Sequence, residues 1–555
     1  MKLMYSIPRI IGKIFSVNSS VGKEITRFNE SLVSFFVKYQ KPIYFLFVIF
    51  IVLTFVTKAQ IFLDPDFGWR LRNGQYILNN GFTFTDPFSY TMPSYPFVDH
   101  AWLVSLFIGL TYPVFGKTLL TVVTVTALVA AIIIAFRTGN PLRLRKFSIR
   151  PTSGLWLFGH PLVILALAIL LPFFSIRAQI ATWLMFSGVL YLTSSKAIFE
   201  KYKYFLPLTF LLWANLHGGY ALGLFVLYYT IFIEFVRDFS SGRKLLNKKN
   251  LTNLFILILS TGVILVNPYG IGSVKEVYSS ISDSSLRFKI AEWLPSLTYF
   301  DLSVAFYLAI VSITVFLKRK SLAIEKLILF FIIFLFALSS RRNFPFWVLY
   351  SLPISADLIR ELYEDYSKKT FVKARFWVVY KYFLVIAVGI FLFQSIFSVW
   401  RVLLPTDEGG YYPVEAVAIL KNNLPGGEIF SSYGWGGYLI WQLPQKRVFV
   451  DGRMPSWRFN PPNNHESSSA FDDYNAIKDG KLNFSEVSEK YGIDTVLWPK
   501  EEETSLNYIE KVVRKLVKAD EQKFNFIDSL KKSGWVLVHE DKEAQIYKKP
   551  GLERI

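Results

Sequence analysis

The chain has no cysteine among its 555 residues. Disulfides and cysteine-ligated metals are therefore excluded, while the compartment stays open, because disulfides are optional outside the cell. Histidine is scarce, with five copies, and acidic residues are outnumbered, 41 against 61 Lys and Arg. There is no evident internal repeat or low-complexity tract. No short apolar core precedes a cleavage site in the polar, basic first forty residues, so no removable signal peptide is expected. What is abundant is apolar: 52% hydrophobic and 17% aromatic residues, with a mean hydropathy of +0.36. That composition argues against a soluble multidomain enzyme and predicts a polytopic α-helical membrane protein.

The net charge of +20 does not point to nucleic acid, because the basic residues cluster in short segments between apolar runs, where cytoplasmic loops carry them. Such clusters occur at Met1 to Lys41, Arg137 to Arg150, Lys196 to Lys203, Arg237 to Lys249, Lys318 to Lys326 and Lys368 to Lys381. They predict a cytoplasmic segment over 1–41 and a transmembrane domain over 42–400 with its first outer loop at 63–102. About eleven spans are expected, placing the C-terminus outside the plasma membrane. In this reading Trp102 to Phe115 lies along the outer interface and Leu119 to Phe136 makes the crossing. After Arg401 the apolar runs shrink to strand length (EIF, RVFVDGR, DTVLW, WVLVHED, AQIYKK), which predicts a soluble extracytoplasmic α/β domain over 401–555.

The first outer loop opens with LDPDFGWRLRNGQYILNNG, Leu63 to Gly81. Asp64 suits a helix N-cap, Pro65 the first helical position and Gly81 the C-terminal stop. Phe67, Leu71, Gly74, Ile77 and Leu78 share one face, describing an interfacial amphipathic helix anchored by Trp69 and followed by Arg70. Capping needs one carboxylate, so Asp66 is left over. A carboxylate at the lip of the bilayer is suited to accept the proton of an attacking hydroxyl.

Further polar groups sit at the outer ends of spans: Arg177 and Gln179, Asn215 and His217, Glu292 and Trp293, and Arg341, Arg342 and Asn343. Charges there are costly unless they face a cavity or partner. Three arginines and a histidine converging outside make a phosphate site, although as a bland alternative Arg341 and Arg342 serve as interface anchors and His217 caps a helix end. In FVDHAWL, Asp99 suits an N-cap and Trp102 an anchor, whereas His100 has no such structural role. In the tail, SSYGWGGYLIWQLPQKRVFVDGR has a Gly434, Gly436, Gly437 corner assigned to packing. Asp451 and Arg453 follow an apolar strand, either as binding residues or as a strand-ending ion pair in solvent.

Together, DPDFGWRLRNGQYIL, TDPFSYT, VDHAWL, WANLHGGY and the Phe115-Gly116 end of the interfacial segment resemble the GT-C superfamily of membrane glycosyltransferases, which includes protein mannosyltransferase-like and aminoarabinose transferase-like members. More narrowly they are similar to a bacterial set without an assigned reaction, from which Arg70 departs by standing where a histidine is expected. The resemblance implies a polyprenyl-phosphate sugar donor, a lipid, glycan or protein acceptor, and Asp66 as catalytic base of an inverting transfer. Arg177, Arg341, Arg342 and His217 would then neutralise the leaving phosphate. No cofactor is expected; Asp64, Asp66 and Asp99 offer oxygen ligands to a divalent ion, at spacing that is not diagnostic. Competing readings are an O-antigen-type ligase or polymerase using Arg and His, a lipid-linked-sugar transporter, and a sensory membrane protein.

Overall fold

The computed structural model describes residues 45–139, 160–283, 289–296, 301–366, 370–400, 411–500 and 524–552. The expected cytoplasmic segment 1–41, most of the Arg137 to Arg150 cluster and the expected domain boundary at 401 lie outside the described residues. By its contacts the chain divides into Met1–Thr54 and Phe55–Ile555, and every contact below lies within the second unit.

Helix α1 (Phe45–Ile61) leads into α2 (Phe67–Asn80), α3 (Trp102–Arg137), α4 (Pro161–Leu170), α5 (Gln179–Leu192), α6 (Leu206–Leu216), α7 (Tyr220–Ser240), α8 (Lys248–Gly262), α9 (Ile271–Ser282), α10 (Leu302–Lys318), α11 (Ile324–Ser339), α12 (Phe344–Tyr366) and α13 (Thr370–Ser395). Among the described residues, five helical stretches are long and apolar enough to cross a membrane: Trp102–Arg137, Tyr220–Ser240, Lys248–Leu265, Leu302–Ser321 and Tyr382–Val399. Phe45–Ile61, Pro161–Phe173 and Gln179–Leu192 are shorter apolar helices. Against the expectation of about eleven spans, five helices of membrane length are thus evident among the described residues. Part of the reason is that apolar runs are used internally: all ten residues of α4 are buried, so their hydrophobicity serves packing rather than contact with lipid.

The two segments expected in α3 are there. They join at Gly116, whose φ of +56° breaks the helix, a conformation that costs glycine nothing because it has no Cβ. The segment before the break packs on α2 at glycine-to-backbone distance. A Cβ on Gly74 would stand 1.9 Å from the Ser105 carbonyl oxygen, and one on Gly109 would stand 2.6 Å from the Gly74 carbonyl carbon.

The tail contains α14 (Val414–Asn422), β1 (Glu428–Ser431), α15 (Gly436–Gln442), α16 (Ala470–Lys478), α17 (Phe484–Tyr491), β2 (Ile493–Pro499), α18 (Phe526–Lys532), β3 (Val536–Glu540) and β4 (Ala544–Lys548). Its sheet has the order β1-β2-β4-β3, with β1 parallel to β2 and the other pairs antiparallel. The expected RVFVDGR strand is reduced to bridges from Val448 to Ile429 and to Ser89.

Through Ser89 the segment 63–102, expected as the first outer loop, joins this sheet. Tyr90 N–H donates to Val448 O at 3.2 Å, Val448 N–H to Phe88 O at 2.9 Å, Thr91 Oγ1 to Phe449 O at 2.6 Å and Tyr90 Oη to Ile429 O at 3.0 Å. The TDPFSYT segment is therefore an added edge of the tail domain, which uses backbone groups that an exposed edge would leave unpaired. A second seam lies beside it. A Cβ on Gly68 would stand 2.2 Å from Gly437 O, and one on Gly437 would stand 2.3 Å from Pro65 O. The glycine corner is packing, as its sequence suggested.

Candidate functional site

The segments expected outside meet one another. Ser175 Oγ donates to Asp64 Oδ2 at 2.7 Å, Gln179 Nε2 to Arg342 O at 3.2 Å, Ser340 Oγ to Glu292 O at 2.9 Å, and Trp102 Nε1 to Asn215 Oδ1 at 2.7 Å. Pairs far apart in sequence thus gather at one end of the helices, with Asp66 among them.

Asp64 takes the structural work at the start of α2. Its Oδ1 accepts the Asp66 N–H at 3.1 Å, its carbonyl accepts the Phe67 N–H at 2.9 Å, and its Oδ2 lies 3.5 Å from Arg177 Nε. Asp66 occupies the N-cap position yet makes no capping bond with its side chain. Its Oδ1 accepts from Trp69 Nε1 at 3.0 Å, and among the described residues it has no ion pair. The carboxylate is half-buried. Surrounding protein, and next the negative charge of Asp64, push it above the ordinary carboxylate range, against the opposing pull of Arg70, the Trp69 hydrogen bond and Arg177. The tail domain closes over it: a Cβ on Gly452 would stand 2.6 Å from Asp66 Oδ1. Tyr433 is close enough to Asp66 and Glu292 to feel their charges, which add to burial in pushing its phenol up.

His217 lies just past α6. Its Nδ1 accepts the Gly219 N–H at 3.1 Å and lies 2.8 Å from Thr182 Oγ1, which itself accepts from Trp213 Nε1 at 2.9 Å. Because a backbone N–H can only donate, this network assigns the ring proton of the neutral imidazole to Nε2. Burial, then His100, Arg342, Arg70 and Arg177, hold His217 well below the usual histidine range. The His100 ring is 5.6 Å away, and burial with Arg70, opposed by Asp99, lowers it to about 4. Two neutral imidazoles stand here, and His217 presents an N–H donor.

The four candidate phosphate binders separate. Arg177 is bidentate to Glu292 at 2.9 and 3.0 Å as well as near Asp64. Burial disfavours the Glu292 charge, yet Arg177 and Arg342 hold its carboxyl down at about 2. Arg177, expected to bind phosphate, thus has one N–H of each terminal nitrogen engaged by Glu292 and its Nε facing Asp64. Arg341 lines a separate small crevice with Phe173, Ser296, Val304 and Phe344. Arg342 lies over the Trp293 ring at 4.6 Å and has no ion pair among the described residues. Burial lowers its affinity for a proton, with Glu292, Arg177 and Asp66 in electrostatic reach.

Other expected site residues are held in internal networks. Asn215 donates to Leu211 O and Val266 O at 2.8 and 2.9 Å besides accepting from Trp102, so its amide is satisfied. Asp99 is 1% exposed and reaches across to α2. It accepts from Asn73 at 2.8 Å, Ser105 at 2.6 Å and the Ala101 N–H at 2.9 Å, with Arg70 at 3.3 Å. Trp69, expected as a membrane anchor, is 4% exposed, because the tail domain covers the start of α2, whereas Leu78, expected on the apolar face of an interfacial helix, is 48% exposed. Asp451 and Arg453 form no solvent pair. Both are buried, and Arg453 donates to Asp451 at 2.8 and 2.6 Å and to Asp86 of the outer loop at 2.5 Å. The proposed divalent-ion ligands are likewise engaged separately, Asp64 by Ser175 and Arg177 and Asp99 by the α2–α3 network. Sequence reading did not single out Asp86, Thr182, Tyr433 and Gly452, although Asp86 lies inside TDPFSYT and Tyr433 and Gly452 inside SSYGWGGYLIWQLPQKRVFVDGR.

A scan against protein-family models and a search of curated proteins return no match to this chain.

Proposed function

We propose that the chain is a membrane glycosyltransferase of the GT-C kind, moving a sugar from a polyprenyl-phosphate donor to an acceptor hydroxyl at the extracytoplasmic face. The observation that carries this reading is the juxtaposition at one end of the helices of a carboxylate of raised proton affinity, Asp66, with a cation, Arg342, neither of them ion-paired among the described residues, and a neutral imidazole donor, His217.

In the proposed step the acceptor oxygen attacks the anomeric carbon as its proton passes to Asp66. The bond from that carbon to the phosphate oxygen breaks, and the electron pair leaves with the polyprenyl phosphate. Arg342 and the His217 Nε2–H stabilise the developing charge, a contribution typically worth a factor of about 10²–10³ per donor. Asp64, Arg177 and Glu292 hold the groups apart, and Tyr433 and Gly452 close the acceptor side.

The paired imidazoles His100 and His217 beside Arg342 favour a second reading, an O-antigen-type ligase in which Asp66 is dispensable. Binding and chemistry separate the two. Polyprenyl phosphate binding to purified protein is expected to weaken in Arg342→Ala and His217→Ala and to persist in Asp66→Asn. Unchanged binding in Arg342→Ala would remove the proposed phosphate site.

A further inference from the structure

A cavity lies at the end of the helices opposite Asp66. It measures about 310 Å³, within the range of small-ligand pockets, roughly 300–1,000 Å³. Its walls are the ends of α5, α7, α11 and α12 and the short helix Lys196–Tyr202. Its rim is cationic and hydroxyl-rich. Lys196 and Lys326 are exposed there and, among the described residues, have no ion pair. Arg237 is shared between Glu234 and Glu325, and Glu234 also takes Lys249, so carboxylates are fewer than cations. Tyr229 Oη donates to Glu325 O at 2.6 Å and Tyr350 Oη to Lys326 O at 3.2 Å, which fixes the start of α11 as one lip.

The interior is apolar. Leu190, Phe199, Leu329 and Ile354 line it between helices. From Arg237 at the rim to Tyr229 inside, the eight residues of α7 cover about 12 Å, more than a phosphate needs and enough for a headgroup with the first part of an acyl chain.

We propose that this cavity binds an anionic phospholipid, with its phosphate at Lys196 and Lys326 and its glycerol and acyl chain between α5, α7, α11 and α12. Two features argue for lipid over a soluble anion: the site opens between apolar helices, and it continues inward as hydrocarbon surface. The proposal is independent of the reaction assigned to Asp66.

The test is native mass spectrometry of full-length protein released from nanodiscs of equimolar phosphatidylglycerol and phosphatidylcholine. Native protein is expected to retain phosphatidylglycerol preferentially. In Lys196→Glu/Lys326→Glu that preference should fall about 30-fold, from roughly a fivefold effect for each lysine near the headgroups. Both lysines are exposed, so folding is not at stake. Equal retention of the two lipids, an unchanged preference in the variant, or displacement of the lipid by millimolar inorganic phosphate would each overturn the proposal.

Discussion

At the residue scale, Asp66 behaves as a group whose folded-state proton affinity is raised by burial and by Asp64. A general base must be ionised, so the transfer rate should rise with pH until it passes that raised pKa. The acid limb therefore falls at higher pH than an ordinary carboxylate gives, while His217, held low, stays neutral throughout. Stability has the opposite sign. A carboxyl with a raised folded pKa contributes fully below its unfolded value, near 4, and loses that contribution as pH rises through the folded value. Asp66→Asn should consequently unfold at higher temperature than native protein at neutral pH, with the gain vanishing in acid; a lower melting temperature at neutral pH would show Asp66 to be a structural cap. Arg453→Ala should be costly in the other direction, because it leaves Asp86 and Asp451 buried without their cation, roughly 3–5 kcal/mol, readable as a lowered melting temperature in detergent. The sequence singled out Asp66 as the carboxylate left over once Asp64 was given the cap; in the structure Asp66 itself stands at the N-cap position, without a side-chain capping bond. The roles of Arg177, Asn215 and Arg453 were not legible in the sequence, because their deciding partners lie 115, 113 and 367 residues away and local spacing carries no sign of them.

At the scale of elements, α2 is defined by what approaches it. Gly74 was read as part of the apolar face and Gly81 as the C-terminal stop, and Gly81, at φ +79°, is that stop. Gly68 and Gly74 have a different use, admitting α15 on one side and α3 on the other. Gly68→Ala forces a methyl onto a carbonyl and should cost about 1–3 kcal/mol. It is also expected to lower transfer, since the same seam sets Gly452 and Tyr433 over Asp66; a variant as stable and as active as native protein would contradict this account of the seam. Period and composition identified α2, the break at Gly116 and four tail strands. The fifth strand failed because RVFVDGR ends in a buried ion network rather than a continuous ladder. The burial of Trp69 was hidden for the same reason as the seam, since the covering surface comes from the tail.

At the scale of the whole molecule, the outer loop and the tail are one assembly. Val448 links Ser89 to the sheet, Tyr412 donates to Leu63 O at 3.0 Å, and Arg453 closes on Asp86. A chain ending after Trp400 is therefore expected to lose transfer, even with the apolar helices inserted. The apolar runs made the membrane character readable, whereas the eleven expected spans compare with five membrane-length helices among the described residues, since apolar residues also build the protein's own interior. The most direct measurement is sugar transfer from a panel of radiolabelled polyprenyl-phosphate sugars to membrane acceptors, comparing native protein with Asp66→Asn at matched expression. The account predicts transfer by native protein and a loss of about 10²–10⁴-fold in the variant, with polyprenyl phosphate binding retained. Equal transfer by the two proteins would contradict it and move the chemistry to His217 and Arg342.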